Sequence, residues 1–292
     1  MQIDLPVLKK SFEEIGYICD DETVLTVFLA LKLQKPILIE GAPGVGKTEM
    51  GKALAEVFAA DLIRLQCYEG LDENKALYEW NYQKQLLKIQ MSKELGMTEL
   101  QEGDLFTGEY LLERPLLKAI NSPELTVLLI DEVDKCDHEF EAFLFEILSD
   151  FQVSIPELGT VKAKQIPIVV LTSNGERELS DGLRRRCIYL YLDFPTVERE
   201  IRIIKNKIPG AGEKLSEEIA LAVRYLRDNK QIRKKPSIAE TLDWVSALVS
   251  MDSEQLTPNL VDSSLGLLLK SRRDQDTFKE EIGADNLMRS IR

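Results

Sequence analysis

The segment Gly41–Thr48 constrains the fold of this chain more than any other part of its sequence. It reads GAPGVGKT and matches the pattern G-x-x-x-x-G-K-[ST]. A short apolar run precedes it at Pro36–Glu40, and a helical pattern follows at Glu49–Ala60. Glycines let the backbone wrap around phosphate oxygens, with successive N–H groups and the start of the next helix facing the same anion. The segment predicts a strand, a phosphate-binding loop and a helix, and hence a site for a nucleoside triphosphate.

Each residue of this loop is a predicted nucleotide contact. Lys47 should reach the β- and γ-phosphates, and the Thr48 hydroxyl should bind Mg²⁺. The alternative is a glycine-rich turn with a surface lysine, and the acidic pair described next argues against it. The predicted contacts are Gly41, Ala42, Pro43, Gly44, Val45, Gly46, Lys47, Thr48 and Glu49.

The pair Asp131-Glu132 is the second feature that carries chemistry. It follows the apolar run Val127–Ile130, which is typical of a parallel strand buried on both faces. Asp131 fits a carboxylate that holds Mg²⁺ directly or through water. Glu132 is placed to polarise an attacking water as a general base. The alternative is a solvated pair at a strand end, and the intact phosphate loop favours the metal and base roles.

Apolar runs alternate with helical patterns over the first two thirds of the chain. Alternation of this kind predicts a three-layer α/β sheet, with phosphates beyond the carboxyl ends of the strands. After Pro195 no strand pattern occurs, and Thr196, Ser216 and Ser237 each precede a helical pattern. We therefore predict an α/β nucleotide-binding domain over residues 1–194 and a smaller, all-helical domain over residues 195–292. Further predicted strands are 62–66, 166–171 and 188–192, a hairpin spans 151–164, and a helix spans Asp21–Leu33.

The region between the second strand and Asp131 contains two further predicted helices. Asp72–Leu95 has few Gly or Pro residues and predicts one long helix that includes Trp80. Leu111–Ile120 predicts another helix, which Pro115 should kink or begin anew.

Composition limits the classes of function that the chain can have. The net charge of −13 argues against binding of nucleic acid through a large basic surface. No run of about 18 apolar residues occurs, so a membrane span is not expected. The N-terminus lacks the apolar segment of a secretory signal, and we expect a cytoplasmic protein. The 4 cysteines show no CxxC spacing and His138 is the 1 histidine, so we expect reduced core cysteines and no zinc site.

With these motifs in place, the chain resembles the AAA+ ATPases, and within them the CoxD-like branch of the MoxR family. The resemblance covers roughly residues 16–270. It implies ATP and Mg²⁺ as cofactors, ATP hydrolysis, and assembly with copies of itself into a ring, most often a hexamer. It also implies a chaperone-like role in remodelling or maturing a client protein, including metal-cofactor insertion, with a von Willebrand A-domain partner. The segments that carry the resemblance are Gly41–Thr48, Leu65–Asp72, Ala76–Asn81, Arg114–Leu117, Leu128–Lys135, Ile155–Thr160, Leu171–Asn174 and Leu183–Cys187.

The resemblance also assigns roles to single residues. Asn174 matches the sensor 1 residue, which would orient the attacking water together with Glu132. Arg186, in the run Arg184–Arg186, matches an arginine finger that acts on the nucleotide of the neighbouring subunit. A turn residue and a solvated basic cluster are the respective alternatives, and Arg184 or Arg185 could replace Arg186.

Two further assignments leave alternatives open. Ser237 stands where the resemblance expects the sensor 2 arginine, and the candidate substitutes are Lys235, Lys234 and Arg233. A lysine is a point charge, whereas an arginine offers a planar fork of donors. Tyr17 and Ile18 match the segment that contacts adenine, with a plain core role as the alternative. The regions 71–112 and 151–164 resemble the helix-2 and pre-sensor-1 insertions, which tend to face the ring pore or partners.

Two rival functions remain at the level of sequence. One is a nucleotide-gated interaction module that turns over negligibly without its partner. The other is a DNA-acting AAA+ motor, which the acidic charge disfavours.

Overall fold

The computed structural model of the protein describes residues 4–94 and 102–292. Strands and helices alternate up to residue 192, and helices alone follow in the described chain. The strands are β1 (Ile37–Gly41), β2 (Asp61–Gln66), β3 (Tyr78–Trp80), β4 (Leu111–Glu113), β5 (Thr126–Asp131), β6 (Gln152–Ile155), β7 (Gly159–Lys162), β8 (Ile168–Ser173) and β9 (Ile188–Leu192). The helices are α1 (Leu5–Glu14), α2 (Asp21–Leu33), α3 (Lys47–Val57), α4 (Glu73–Ala76), α5 (Tyr82–Glu94), α6 (Pro115–Asn121), α7 (His138–Asp150), α8 (Asp181–Arg186), α9 (Val197–Lys207), α10 (Glu213–Asp228), α11 (Ile238–Ser250), α12 (Pro258–Leu268), α13 (Arg272–Thr277) and α14 (Ala284–Ile291), with a π-helical turn at Phe278–Ile282.

The main sheet has the strand order β2-β5-β8-β1-β9. β5 pairs in parallel with both β2 and β8, and β8 pairs in parallel with β1. All residues of β5 and β8 are buried, which explains why these strands read as continuous apolar runs. This parallel sheet with its helices confirms the predicted P-loop α/β fold class, and it brings the carboxyl ends of β1, β2, β5 and β8 to one edge.

Apolar side chains of the strands form one core with helices α6 and α7. Leu128, Ile130 and Leu171 are fully buried in it, next to Leu144 and Ile147 of α7. Each such side chain contributes about 1.5–3 kcal/mol relative to an exposed one. The core therefore fixes the strands whose ends carry Asp131 and Asn174.

The helices that follow β9 form a second core around Trp244. The Trp244 ring is fully buried, and its Nε1–H donates to Ser264 Oγ over 2.7 Å. Arg227 and Glu200 form a buried ion pair in the same unit. The predicted change from strands to helices near residue 195 is thus present in the fold.

The predicted long helix Asp72–Leu95 is wrong in its middle part. The segment breaks into α4, the short strand β3 and α5, and β3 pairs with β4 in antiparallel register. Trp80 lies in β3, where its ring meets the Phe106 ring edge-on at 5.1 Å. Cross-strand pairing and aromatic packing override the helical propensity of this segment. Leu95 lies outside the described residues.

The predicted helix Leu111–Ile120 is also divided. Leu111–Glu113 forms β4, and α6 begins at Pro115, which occupies the first helical turn. The predicted hairpin is confirmed, with Val153 opposite Val161 in β6 and β7. Helix α2 has the predicted bounds, and Leu25 and Leu33 are exposed on it.

Within the described residues, contacts group the chain into two compact units that do not follow sequence order. One comprises Met1–Ser11, Asp21–Glu40 and Lys47–Tyr191. The other comprises Phe12–Asp20, Gly41–Gly46 and Leu192–Arg292. The six residues before Lys47 therefore belong to the same unit as the helices that follow β9.

Within the described residues, the cysteines form no disulfide bond. Cys67, Cys136 and Cys187 are buried and Cys19 is partly buried. Burial raises the pKa of Cys187 to about 12. Among the described residues, no helix is both long enough and apolar enough to cross a membrane.

Candidate nucleotide-binding site

The phosphate-binding loop lies between β1 and α3, as the sequence predicts. β1 ends at Gly41 and α3 begins at Lys47. Gly44 and Gly46 have φ values of 74° and 99°, in the left-handed region that glycine adopts without steric cost. A Cβ on Gly41 would lie 2.2 Å from the carbonyl oxygen of Leu192, so only glycine fits there. The backbone path therefore requires the glycines that define the motif.

Lys47 lies against the predicted sensor residue. Its side chain is buried, and Nζ donates a hydrogen bond to Asn174 Oδ1 over 2.8 Å. Burial lowers the pKa of Lys47, and the carboxylates of Asp134 and Asp131 oppose that effect. Two residues that are 127 positions apart thus meet at one place.

The Asp131 carboxylate accepts hydrogen bonds from residues of two strands and one helix. Its carboxylate accepts a hydrogen bond from Thr48 Oγ1 at 3.0 Å and another from Thr172 Oγ1. Arg64 of β2 forms an ion pair with the same carboxylate at 2.5 Å. A hydroxyl and a carboxylate side by side are hard oxygen ligands of the kind that Mg²⁺ takes alongside water and phosphate. The residues present fit the predicted metal.

Glu132 has an unusual backbone and a tethered side chain. Its φ of 58° is left-handed, and its N–H donates to Thr172 Oγ1 at 2.9 Å. Its carboxylate accepts hydrogen bonds from Gln66 Nε2 at 2.8 Å and Lys135 Nζ at 2.7 Å. Left-handed backbone at a non-glycine residue costs energy and occurs where the surrounding structure imposes it, often at functional sites.

Asp134 links the acidic turn to the sensor loop. Its Oδ2 accepts the N–H groups of Asn174 and Glu176, both at 3.0 Å. Its Oδ1 is buried and, among the described residues, has no hydrogen-bond partner. Arg177 holds the same turn by donating to the carbonyl oxygens of Asp134 and Cys136. Asp134 is therefore positioned to orient the Asn174 backbone.

The arginine run at the end of α8 makes contacts within its own chain. Arg186 donates from Nε to Ser149 Oγ at 2.6 Å and stacks over the Phe145 ring at 4.4 Å. Arg184 lies over the Tyr189 ring. The Arg185 side chain is 83% exposed. The finger role of Arg186 stays a prediction, and Arg185 is the most open of the three.

The remaining predicted contacts lie in the helical unit. Lys235 Nζ donates to the carbonyl oxygen of Asn229, and burial lowers the pKa of Lys235. The Ile18 carbonyl accepts a hydrogen bond from Arg199 Nε at 3.1 Å, and the Tyr17 ring packs against Phe12. Their roles toward phosphate and adenine stay predictions.

Sequence reasoning missed several residues around the acidic pair. Gln66 is directly opposite Asp131 in the register of β2 and β5, and Thr172 lies near the end of β8. Strand order would have placed both at the same edge, because the carboxyl ends of parallel strands meet there. No pattern in the sequence marks Arg64, Asp134 or Lys135 in this way.

The residues of this site lie within a segment that matches a known protein family. The family described as "AAA domain (dynein-related subfamily)" matches residues 36–187. The chain belongs to this family. The matched range begins before the phosphate loop and ends after the arginine run, and it includes Asp131, Glu132 and Asn174.

Relatives from Staphylococcus and from Porphyra purpurea are similar to more than half of the chain. An uncharacterized protein of Staphylococcus aureus (strain USA300) is 25% identical over 240 residues, which are 79% of this chain and 82% of that protein. An uncharacterized protein of Staphylococcus haemolyticus (strain JCSC1435) is 24% identical over 278 residues, which are 91% of this chain and 97% of that protein. A ClpA homologue of Porphyra purpurea, described as an ATP-binding subunit of the ATP-dependent Clp protease, is 27% identical over 176 residues, 56% of this chain and 19% of that protein.

Solved structures of RuvB share the fold. A single-residue variant of RuvB from Thermotoga maritima aligns with a TM-score of 0.51 and 19% identity, covering 94% of this chain and 80% of that one. A structure of the same protein, described as a Holliday junction branch migration motor, gives a TM-score of 0.50 at 18% identity. The alignment covers 90% of this chain and 77% of that one. These similarities support the AAA+ fold, whereas the finer MoxR resemblance stays a prediction.

Proposed function

We propose that this AAA domain protein is a Mg²⁺-dependent ATPase of MoxR type that couples ATP hydrolysis to the remodelling or maturation of a client protein. The observation that carries the proposal is the meeting of Lys47, Thr48, Asp131 and Asn174 at one edge of the sheet. In the proposed site, loop residues 41–49 hold the triphosphate, and Lys47 neutralises its β- and γ-phosphates.

Thr48 and Asp131 supply the proposed metal ligands. Magnesium bound there would neutralise charge that develops on the phosphate oxygens. Asp131 keeps its orientation because Thr172 donates to it from β8. Arg64 already pairs with the same carboxylate, so it adds positive charge at this end of the site.

Glu132 is the proposed general base and Asn174 the residue that orients the attacking water. Gln66 and Lys135 both donate to Oε2 of the Glu132 carboxylate, so these two bonds hold the side chain while its Oε1 takes the role of proton acceptor.

Arg186 is the proposed finger, acting on the nucleotide of a neighbouring subunit in a ring. To reach that phosphate, its guanidinium must exchange its contacts with Ser149 and Phe145. A closed ring of identical subunits uses one heterologous interface repeated by rotation, which suits a residue that acts in trans.

The proposed partners are copies of this chain, a client protein and a von Willebrand A-domain protein, by resemblance to the MoxR family. A DNA-acting motor is disfavoured, since the net charge of −13 opposes phosphate backbones.

Steady-state ATP hydrolysis tests the enzyme proposal. Wild-type chain with Mg²⁺ should hydrolyse ATP, and Glu132→Gln should bind ATP but lose at least about 100-fold in turnover, because the base is gone. Turnover is measured alone, with a candidate A-domain protein, and with duplex DNA. If the A-domain protein increases turnover and duplex DNA does not, the result supports the remodelling role. Absence of turnover in a ring-forming preparation, with or without the partner, contradicts the enzyme proposal.

A further inference from the structure

Helix α11 begins directly against the phosphate loop. The Ile238 N–H at its first turn donates to the carbonyl oxygen of Gly44 over 3.2 Å. A Cβ built on Gly44 would lie 2.4 Å from Ser237 Cβ and 2.7 Å from its Oγ. Gly44 thus needs to be glycine for two reasons, its φ of 74° and its contact with Ser237.

The start of α11 is itself rigidly organised. Ser237 Oγ accepts the Glu240 N–H at 3.3 Å, and the Glu240 carboxylate accepts the Ser237 N–H at 2.7 Å. This reciprocal pair is a capping box, which satisfies two backbone donors of the first turn. The Ile238 N–H therefore points at Gly44 from a fixed helix end.

The segment that leads into α11 is anchored in the core of the helical unit. Buried Asp274 accepts the N–H groups of Arg233 and Lys234 at 3.0 and 3.2 Å. Arg227 donates from Nε to the Pro236 carbonyl at 2.8 Å while its other nitrogens pair with buried Glu200. Charge-assisted, buried bonds of this kind hold geometry firmly. The position of Ser237 is thus set by the core of the helical unit.

The contact at Gly44 also orients a neighbouring donor. A trans peptide unit directs its C=O and its N–H to opposite sides. Holding the Gly44 carbonyl toward α11 therefore fixes the direction of the Val45 N–H, which belongs to the loop predicted to cradle phosphate. Ser237, at the position where the family resemblance expects a phosphate-contacting arginine, acts on the loop itself.

We propose that Ser237 is a positioning residue: the capped start of α11 holds the phosphate loop at Gly44, so that nucleotide binding and the local order of this helix start are thermodynamically linked. This inference rests on the proposed nucleotide binding. Linkage is reciprocal, so a nucleotide that orders the loop stabilises the start of α11, and loosening that helix start weakens nucleotide binding by the same factor.

A matched pair of capping variants tests the link. Thr257 caps α12 in the same unit, with its side chain accepting the Leu260 N–H at 3.3 Å, and it serves as the control. Ser237→Ala and Thr257→Ala should both lower the melting temperature, since each removes a cap. Only Ser237→Ala should weaken binding of MgADP, by about fivefold, measured by calorimetry. Equal affinity in Ser237→Ala and wild type, or equal weakening in both variants, overturns the proposal.

A double-mutant cycle tests the contact itself. Gly44→Ala should weaken MgADP binding because of backbone strain and the clash with Ser237. In a Ser237→Gly background only the strain remains, so the double variant should bind about tenfold more tightly than Gly44→Ala. If the effects of the two substitutions are additive, the inference is overturned. The proposed function still stands in that case, provided that the wild-type chain binds MgADP. A wild-type chain that binds no MgADP or MgATP overturns both.

Discussion

At the scale of single residues, the side chains around the acidic pair orient one another. Asp131 and Glu132 are each held by neighbours, Asp131 by Thr48 and Thr172, and Glu132 by Gln66 and Lys135. The sequence predicts the acidic pair and Thr48 but not Gln66 and Thr172, because these two residues lie on other strands and become neighbours of the pair only through the strand order.

Asp134 provides a test at this scale. Asp134→Asn should reduce ATP turnover by about tenfold or more and leave MgADP affinity within about threefold of wild type. Two backbone N–H groups of the Asn174 loop lose a charged acceptor, and bonds to a charged acceptor are roughly twice as strong as neutral ones. Turnover and calorimetry are compared with exposed Glu139→Gln as the control. Full turnover in Asp134→Asn contradicts its positioning role.

At the scale of elements, local sequence signals predict those helices, loops and hairpins whose formation depends mainly on residues close to them in the sequence. The phosphate loop, α2 and the β6–β7 hairpin follow from their own patterns. β3 and β4 do not, since strands of three residues are too short to show a period and are stabilised by pairing with each other. The same limit explains why the predicted helix 72–95 is wrong around Trp80.

Trp80 is the test of that pairing. Trp80→Ala should lower the free energy of unfolding by about 3–5 kcal/mol, because the ring is buried and packs edge-on against Phe106. Chemical denaturation measures the change, with exposed Tyr82→Ala as the control. A loss below about 1 kcal/mol in Trp80→Ala would show that the β3–β4 ribbon contributes little to stability.

At the scale of the whole molecule, the proposed function requires subunits that complete one another's sites. Acidic net charge, the AAA family assignment and the arginine run are what the sequence supplies here. The contacts of Arg186 with Ser149 and Phe145 could not be read from the sequence, since they depend on how α7 and α8 pack.

Subunit mixing tests the finger. Arg186→Ala should lose turnover yet bind MgATP, and mixing it with Glu132→Gln should restore part of the activity. In the mixture, a subunit with an intact base can meet a neighbour with an intact arginine. Ser149→Ala, which removes a partner of Arg186 but keeps the guanidinium, is the control. Wild-type turnover by Arg186→Ala alone contradicts the assignment, and parallel loss in Arg185→Ala would move it to that residue.

The proposed function depends most on the glycine loop and the acidic pair acting on one metal-bound triphosphate. Electron paramagnetic resonance of Mn²⁺ measures this directly, with Mn²⁺ in place of Mg²⁺ and titrations made with and without ATP. We expect tight Mn²⁺ binding that requires ATP in the wild type and is lost in both Lys47→Ala and Asp131→Asn. Unchanged MnATP binding in either variant would show that the loop and the acidic pair do not share a metal-bound nucleotide.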